Sequence, residues 1–272
     1  MASSSSSVQQ ASKERTEELL ESLAEIRSRV KAVSQSNSSP TLVAVSKYKP
    51  ASDVLACYNH GQRDFGENYV QELEEKARIL PADIRWHFIG TLQSNKAKAL
   101  ASIPNLYSVQ TLGSIKGATA LNKALPTDRT SPLRVLIQIN TSGEDSKSGI
   151  PPLSDSSSLE NSELVLLATH ILKECPKLRL EGLMTIGALE LSLAASETEK
   201  NADFERLKET RDVLDRYLKV TYPEALDRWG DEASRRLVLS MGMSGDFEAA
   251  LKAGSDIVRV GTGIFGQRPK KS

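Results

Sequence analysis

Neither sign of charge dominates this chain: among its 272 residues Lys plus Arg number 35 and Asp plus Glu number 35. With no net field to draw it toward nucleic acid, a membrane surface or a polyanion, a small-molecule ligand is the expected partner. Cysteine is scarce. Cys57 and Cys175 stand far apart, with no CxxC and no neighbouring His, which excludes a disulfide framework and a zinc site and fits a reducing compartment. No two of the 3 histidines are spaced for a metal. No apolar run approaches the ~20 residues of a bilayer span, and the opening MASSSSSVQQ lacks the basic end and apolar stretch of a signal peptide. Ser-rich openings also occur in organelle transit peptides, but those are poor in acids, whereas Glu14, Glu17 and Glu18 arrive early here. The cytosol is the expected location. What is present is an ordinary globular composition, 39% hydrophobic and 26% charged with 16 Gly and 11 Pro, enough for one large core and one domain of barrel size.

Leu19, Leu23, Ile26, Val30 and Val33 recur at alternating steps of four and three, the face of a helix that ends before the Ser/Asn run 34–39. From Thr41 the pattern changes to eight short β-rich runs: TLVAVSKY, RDFGEN, RWHFIG, LYSVQT, RVLIQIN, LRLEGLMTIG, RRLVLSMGM and DIVRVGTGIFG. Between them lie helical stretches such as SDVLACYNHG, with a Ser cap and a closing Gly, YVQELEEKARIL, stopped by Pro81, and DFEAALKAG. Alternating strands and helices imply parallel strands with right-handed crossovers. Eight such units predict a single-domain (β/α)8 TIM barrel with an extra N-terminal helix, an open doubly wound sheet being the competing architecture. The expected boundaries are a disordered Ser-rich tail over 1–12, the barrel over 13–268 and a short tail over 269–272. The Ser-rich, acidic stretches 151–163 and 188–203 read as surface insertions.

In a parallel barrel the carboxyl ends of the strands form the active face, so polar residues there carry most weight. Period-two alternation in TLVAVSKYKP puts Val43, Val45 and Lys47 on one face, and leaves Lys49 on the rim. A lysine at the end of an apolar strand face is expensive unless it is paired, snorkels to water, or is used chemically. After the seventh strand, Ser244 and Gly245 lead into a helix beginning near Asp246; after the eighth come Gly261, Thr262 and Gly263. Barrels commonly bind phosphate in this place, with glycine amides and the hydroxyls of Ser244 and Thr262 as donors; turn glycines closing the barrel are the plainer alternative. GTGIFG spells GxGxxG, but the dinucleotide fingerprint needs a following helix and an acidic residue about 20 positions on, and the sequence ends before that. Arg259 shares a face with Ile257 and Gly261 and therefore needs a buried acceptor, either a ligand or a strand carboxylate such as Asp64 or Glu67. His87 and Asn68 also lie toward strand ends. A lone strand histidine is more often a satisfied core residue, and His60 and His170 read as ordinary helix positions.

The blocks AVSKYKP, FGENYVQE, WHFIGTLQSNK, GLMTIG, LSMGMSGDFEAAL and VRVGTGIFG, in that order, resemble the YggS/PROSC family, the pyridoxal phosphate homeostasis proteins. The resemblance runs from about Thr41 to Gly266. It implies the barrel of the N-terminal domain of bacterial alanine racemases without the racemase's second domain. It implies pyridoxal 5'-phosphate, the vitamin B6 cofactor, held as a Schiff base on the lysine of the first block, here Lys47. It places the phosphate contacts on the last two blocks, at Ser244, Arg259, Gly261 and Thr262, with Met243 beside them and Asn68 as a neighbour of the ring. The two Ser-rich stretches and the long N-terminal tail depart from the family pattern and put only surface contacts in doubt.

A lysine of ordinary pKa, ~10.4, is neutral in roughly one molecule in a few thousand at pH 7, so burial beside Val43 and Val45 and a nearby Arg259 favour the adduct. In the related racemase barrel the counterpart of Arg259 faces the pyridine nitrogen, which implies a largely unprotonated ring and a weak electron sink. Racemisation further needs an acid/base group opposite the lysine, which in racemases is a tyrosine from the second domain of a partner subunit; the sequence ends at Ser272 without that domain. The expectation is therefore a non-catalytic carrier that buffers the cofactor and hands it to cofactor-free PLP-dependent enzymes. One alternative is a low-activity amino-acid racemase using Tyr48, Tyr69 or His87 as base. Another is a phosphate-sugar isomerase on the same fold, which needs a strand-end carboxylate.

Overall fold

The computed structural model describes residues 8–34, 39–144, 147–153, 159–187 and 201–267. In chain order its elements are α1 (Lys13–Val33), β1 (Thr41–Val45), α2 (Ala51–Asn59), β2 (Asp64–Glu67), α3 (Val70–Ile79), β3 (Arg85–Phe88), α4 (Ala97–Ala101), β4 (Leu106–Leu112), α5 (Ile115–Ala124), β5 (Leu133–Gln138), α6 (Glu163–Glu174), β6 (Leu178–Met184), α7 (Ala202–Thr221), β7 (Val238–Ser240), α8 (Phe247–Lys252), β8 (Ile257–Val260) and α9 (Thr262–Phe265). Each strand pairs in parallel with the next and β8 returns to β1, so the sheet closes. The eight expected runs all supply strands, and the barrel, not the open sheet, is the fold.

Period-two alternation divides the strand side chains between two cores. Val43, Leu136, Met184, Val238 and Ile257 form a small cluster in the lumen. Their neighbours, among them Ala44, Phe65, Trp86, Val135 and Val258, belong to the larger core between strands and helices. The lumen therefore holds Val43 and Ile257 as expected, which puts Arg259 inside as well.

Helix α1 begins where Ser12 Oγ accepts from the Arg15 N–H at 3.1 Å. Its stripe of Leu19, Leu23, Ile26 and Val30 is buried. It lies over the seam where the barrel closes, packed on α2, α8 and α9. Arg15 ties the seam with one bond to Asp53 at 2.8 Å and another to the carbonyl of Phe265 at 2.9 Å, while Arg29 pairs with Glu248 at 2.9 Å.

Three local details differ from the sequence expectation. Helix α2 starts at Ala51, one residue before Ser52, with Pro50 in the cap position; proline's fixed φ suits that entry without a side-chain cap. The block after β8 does not continue as strand: TGIF makes one helical turn closed by Gly266 at φ 74°. The described ends of the two Ser-rich stretches are helix starts, because Ser162 accepts from the Val165 N–H and Asn201 from those of Asp203 and Phe204; polar composition there serves capping. Residues 1–7, 154–158, 188–200 and 268–272, which hold most of the expected tails and insertions, lie outside the described residues.

Leu23 in α1 is 1% exposed, so Leu23→Ala should cost roughly 2–5 kcal/mol in a urea unfolding experiment. Val220→Ala, at a residue 81% exposed, should leave the midpoint unchanged.

Candidate functional site

The closing pair sets the site. Val43 lies opposite Arg259 and Ala44 opposite Val260, so the chain just past β8 meets the end of β1. A Cβ on Gly261 would stand 3.3 Å from the Val45 carbonyl and 3.4 Å from its Cβ, an approach that suits glycine. From the loop after β7, Ser244 Oγ accepts from the backbone N–H of Gly261 at 3.2 Å and of Gly263 at 3.3 Å. Two amides and a hydroxyl thus converge beside the end of β1. The loop leaves β7 through Gly242, at φ 91°, where a Cβ would lie 2.5 Å from that of Ala250. It is then fixed by the Asp246 carboxylate, which accepts from the Met243 N–H at 2.6 Å. Thr262 is exposed at the rim.

Lys47 is half-buried two residues beyond Val45, in a turn clamped on its outer side. The Ser46 N–H donates to the Gly66 carbonyl at 3.0 Å. Lys76 of α3 donates to the Ser46 carbonyl at 2.8 Å, and to Glu67 and Glu72 at 2.7 Å each. The Ser46 hydroxyl donates to Glu67 at 2.6 Å. Tyr48 sits at φ 62°, unusual for a residue with a bulky side chain, and its N–H is held by Glu72 at 2.7 Å. Burial pushes the Glu67 carboxyl up to about 7, although Lys76 and Ser46 pull the other way, and its second oxygen, Oε2, is buried without a hydrogen-bond partner among the described residues. Gly66 faces Val43 and Val45 in the lumen, so Glu67, next in the strand, faces the helices. Lys49 is on the rim as expected, donating to the Gln267 carbonyl at 2.8 Å.

Arg259 is buried, with Nη1 donating to Ser240 Oγ at 2.5 Å and Nη2 to the Thr185 carbonyl at 2.8 Å. Burial lowers its guanidinium to about 10, with Asp246 opposing; it remains protonated at neutral pH. The salt bridge to Asp64 or Glu67 does not form, because Asp64 pairs with Arg85 and His87 and Glu67 with Lys76. Asp64 opens β2, whereas Arg259 is the third residue of β8, where Ser240 and the Thr185 carbonyl are its acceptors.

His87 does not reach the mouth. It is 1% exposed, with one ring nitrogen facing Asp64 at 3.0 Å and the other facing Ser108 at 2.8 Å and Gln110 at 3.0 Å, so it is no base for chemistry at Lys47. The Tyr48 and Tyr69 hydroxyls hydrogen-bond each other. Asn68 follows β2 with its Oδ1 buried and without a partner among the described residues, and its carbonyl packs on Gly90, where a Cβ would be 1.8 Å away. Sequence reasoning missed Ser46, Glu72 and Lys76, and named Glu67 only as a partner for Arg259, whereas it pairs with Lys76. A signal was present, since Lys76 falls on the buried stripe of α3 with Val70 and Leu73, where an unpaired lysine is costly.

The family model described as alanine racemase, N-terminal domain, matches residues 21–269. A pyridoxal phosphate homeostasis protein of Schizosaccharomyces pombe is 42% identical over 84% of this chain and 84% of its own length. The structure of PipY from Synechococcus elongatus PCC7942 with PLP bound is 28% identical at TM-score 0.68, covering 91% of this chain and 100% of that one. An alanine racemase from Streptomyces coelicolor A3(2) is similar in fold, at TM-score 0.65 and 18% identity, over 92% of this chain and 58% of the racemase.

The buried cluster under Lys47 makes stability depend on pH. Between its ordinary value of 4.5 and about 7, Glu67 binds more protons folded than unfolded, so this group's contribution weakens as pH rises through that window. Lys76→Met removes the counter-charge and extends the window upward. It should destabilise by roughly 3–5 kcal/mol at pH 8 and by clearly less at pH 5, as measured by urea unfolding at both values.

Proposed function

The chain belongs to the family of the pyridoxal phosphate homeostasis proteins, built on the alanine racemase N-terminal domain, and we propose that it holds pyridoxal 5'-phosphate as a Schiff base on Lys47, buffers it in the cytosol and delivers it to cofactor-free enzymes. The observation that carries this reading is the convergence at the β1–β8 seam of Lys47, the Gly261 and Gly263 amides with Ser244, and the protonated Arg259. That set fits the cofactor: an amine for the aldehyde, the hydroxyls of Ser244 and Thr262 for the phosphate, with Ser244 held in place by the two amides, and a fixed N–H donor for the ring nitrogen. When bound, the cofactor supplies an electrophilic aldehyde and an electron-withdrawing ring.

The chain's own residues divide the remaining work. Ser244 already accepts from two amides, so its hydrogen is directed away from them, toward a phosphate oxygen. Thr262 adds a second hydroxyl at the rim, and Met243 flanks the loop. The unpartnered Asn68 Oδ1 supplies an acceptor for a ring hydroxyl. The clamp of Ser46 by Lys76 and Glu67 fixes the turn that presents Lys47, which limits the freedom lost when the ligand is captured.

Delivery is favoured over turnover by the name its relatives carry and by the surroundings of the site. With a ring nitrogen beside it, the Arg259 guanidinium would hold its own proton and leave the ring unprotonated, a weak electron sink. Among the bases available to a racemase-like reaction, His87 is committed below, and the two tyrosine hydroxyls engage each other. An isomerase would need a carboxylate at the mouth, and the strand-end Glu67 faces the helices instead.

Purified protein is expected to be yellow. Lys47→Ala should lose the cofactor absorption band and the borohydride-reducible adduct while remaining folded; an adduct retained in that variant, or mapped to Lys49, would show the assignment to be wrong. Ser244→Ala, and more strongly Arg259→Gln, should weaken cofactor retention by roughly 1–3 kcal/mol for each charge-assisted hydrogen bond removed, read from dissociation constants by spectroscopic titration. Loaded protein incubated with L-alanine in deuterated water should exchange Cα hydrogen far more slowly than ~1 per second, an ordinary enzymatic rate, yet reactivate a cofactor-free PLP enzyme efficiently. Exchange at or above that rate would favour the racemase reading.

A further inference from the structure

A chain of hydrogen bonds leaves Arg259 and runs down the lumen to the other end of the barrel. Arg259 Nη1 lies 2.5 Å from Ser240 Oγ, and Ser240 Oγ lies 2.7 Å from Gln110 Oε1. Gln110 Nε2 is 3.0 Å from His87 Nδ1, and His87 Nε2 is 3.0 Å from Asp64 Oδ1. The five residues come from β8, β7, β4, β3 and β2, and all are buried. The far end opens on a cavity of about 430 Å³, where His87 shares the lining with Thr41, Val238 and Ile257, the first residues of β1, β7 and β8.

The two ends fix the direction of the whole chain. A guanidinium can only donate, so Ser240 Oγ accepts from Arg259 and passes its single hydrogen to Gln110 Oε1. That orients the amide with Nε2 toward His87, whose Nδ1 must then accept; the Ser108 hydroxyl, 2.8 Å from the same nitrogen, can donate to it too. The imidazole hydrogen is therefore on Nε2 and points at Asp64. Asp64 is also paired with Arg85, which only donates, so this end only accepts. If Gln110 were turned over, Ser240 would face donors from both sides and its hydrogen would lose the acceptor it has here.

We propose that Ser240, Gln110 and His87 are positioning residues for Arg259: with His87 as the neutral Nε2–H tautomer, the chain holds the guanidinium in one orientation beneath the cofactor ring. Thr185 fixes only the second arm, so removing the Ser240 hydroxyl frees Nη1 to swing. The functional part of this inference rests on the cofactor reading above; the tautomer and the chain do not.

Two measurements separate those parts. In cofactor-free, 15N-labelled protein at pH 7.5, long-range 1H–15N spectra of the 3 histidines, with His87 identified by its loss in His87→Gln, should show His87 as neutral Nε2–H. An imidazolium or an Nδ1–H tautomer would overturn the chain whether or not the protein binds the cofactor. In protein titrated with pyridoxal 5'-phosphate, Ser240→Ala and Gln110→Leu should each raise the dissociation constant about tenfold, the equivalent of ~1.4 kcal/mol, and shift the absorption maximum of the bound cofactor. Ser240→Thr, which keeps the hydroxyl, should restore both. Unchanged affinity and spectrum in Ser240→Ala, or a loss that Ser240→Thr does not restore, would refute the positioning role, whereas absent binding in the unaltered protein would instead refute the cofactor reading.

Discussion

Parallel pairing of β1 with β8 is the constraint on which the rest of the molecule depends. It closes the sheet, and in doing so it brings the turn after β1 against the loops after β7 and β8, which the chain otherwise separates by about two hundred positions. A closed barrel has no free edge, so the register of one pair propagates to all the others. Helix α1 reinforces that seam from outside: its apolar stripe covers it, and Arg15 and Arg29 bind elements on either side.

Around the candidate site the described residues place buried polar groups on both sides of the barrel wall. Outside, Lys76, Glu67, Glu72 and Ser46 fix the turn that carries Lys47. Inside, Arg259 is held by Ser240 and Thr185. Apolar residues of similar shape would often serve stability as well or better than buried charges. What the charges provide is directional bonding at the two points where the proposed ligand would be met: the lysine on one strand end and the guanidinium on another. The unpartnered Glu67 Oε2 and Asn68 Oδ1 lie in adjacent residues of that same region, where polar groups are left less than fully satisfied.

The fold is shared with enzymes, so the distinction between carrier and catalyst has to rest on the site. Here the cation beside the proposed ring position is an arginine that keeps its proton, and the lumen histidine is tied to a carboxylate and an amide. Both features suit retention of an electrophilic cofactor more than proton traffic at a bound amino acid.

The sequence by itself determined the class of fold and the axis of the site. Alternation in TLVAVSKY and DIVRVG was enough to put Val43 with Val45, and Ile257 with Arg259, on shared faces, because side-chain direction in a strand follows position with a period of two; the structure shows those faces to be the lumen. The same local rules located the glycine and hydroxyl loop at Ser244 and Gly261. Tertiary structure alone decided the partners. Nothing local distinguishes Asp64 or Glu67 from Ser240 and Thr185 as the acceptor for Arg259, since the choice depends on depth along the barrel axis, which follows from the shear of the closed sheet. Likewise His87, read as lying near a strand end, is withdrawn toward the amino-terminal side, and Lys76 is aimed at the carbonyl of Ser46 by the docking of α3 on β2 and β3. Periodicity specifies which face a residue occupies; closure of the barrel specifies what stands across from it.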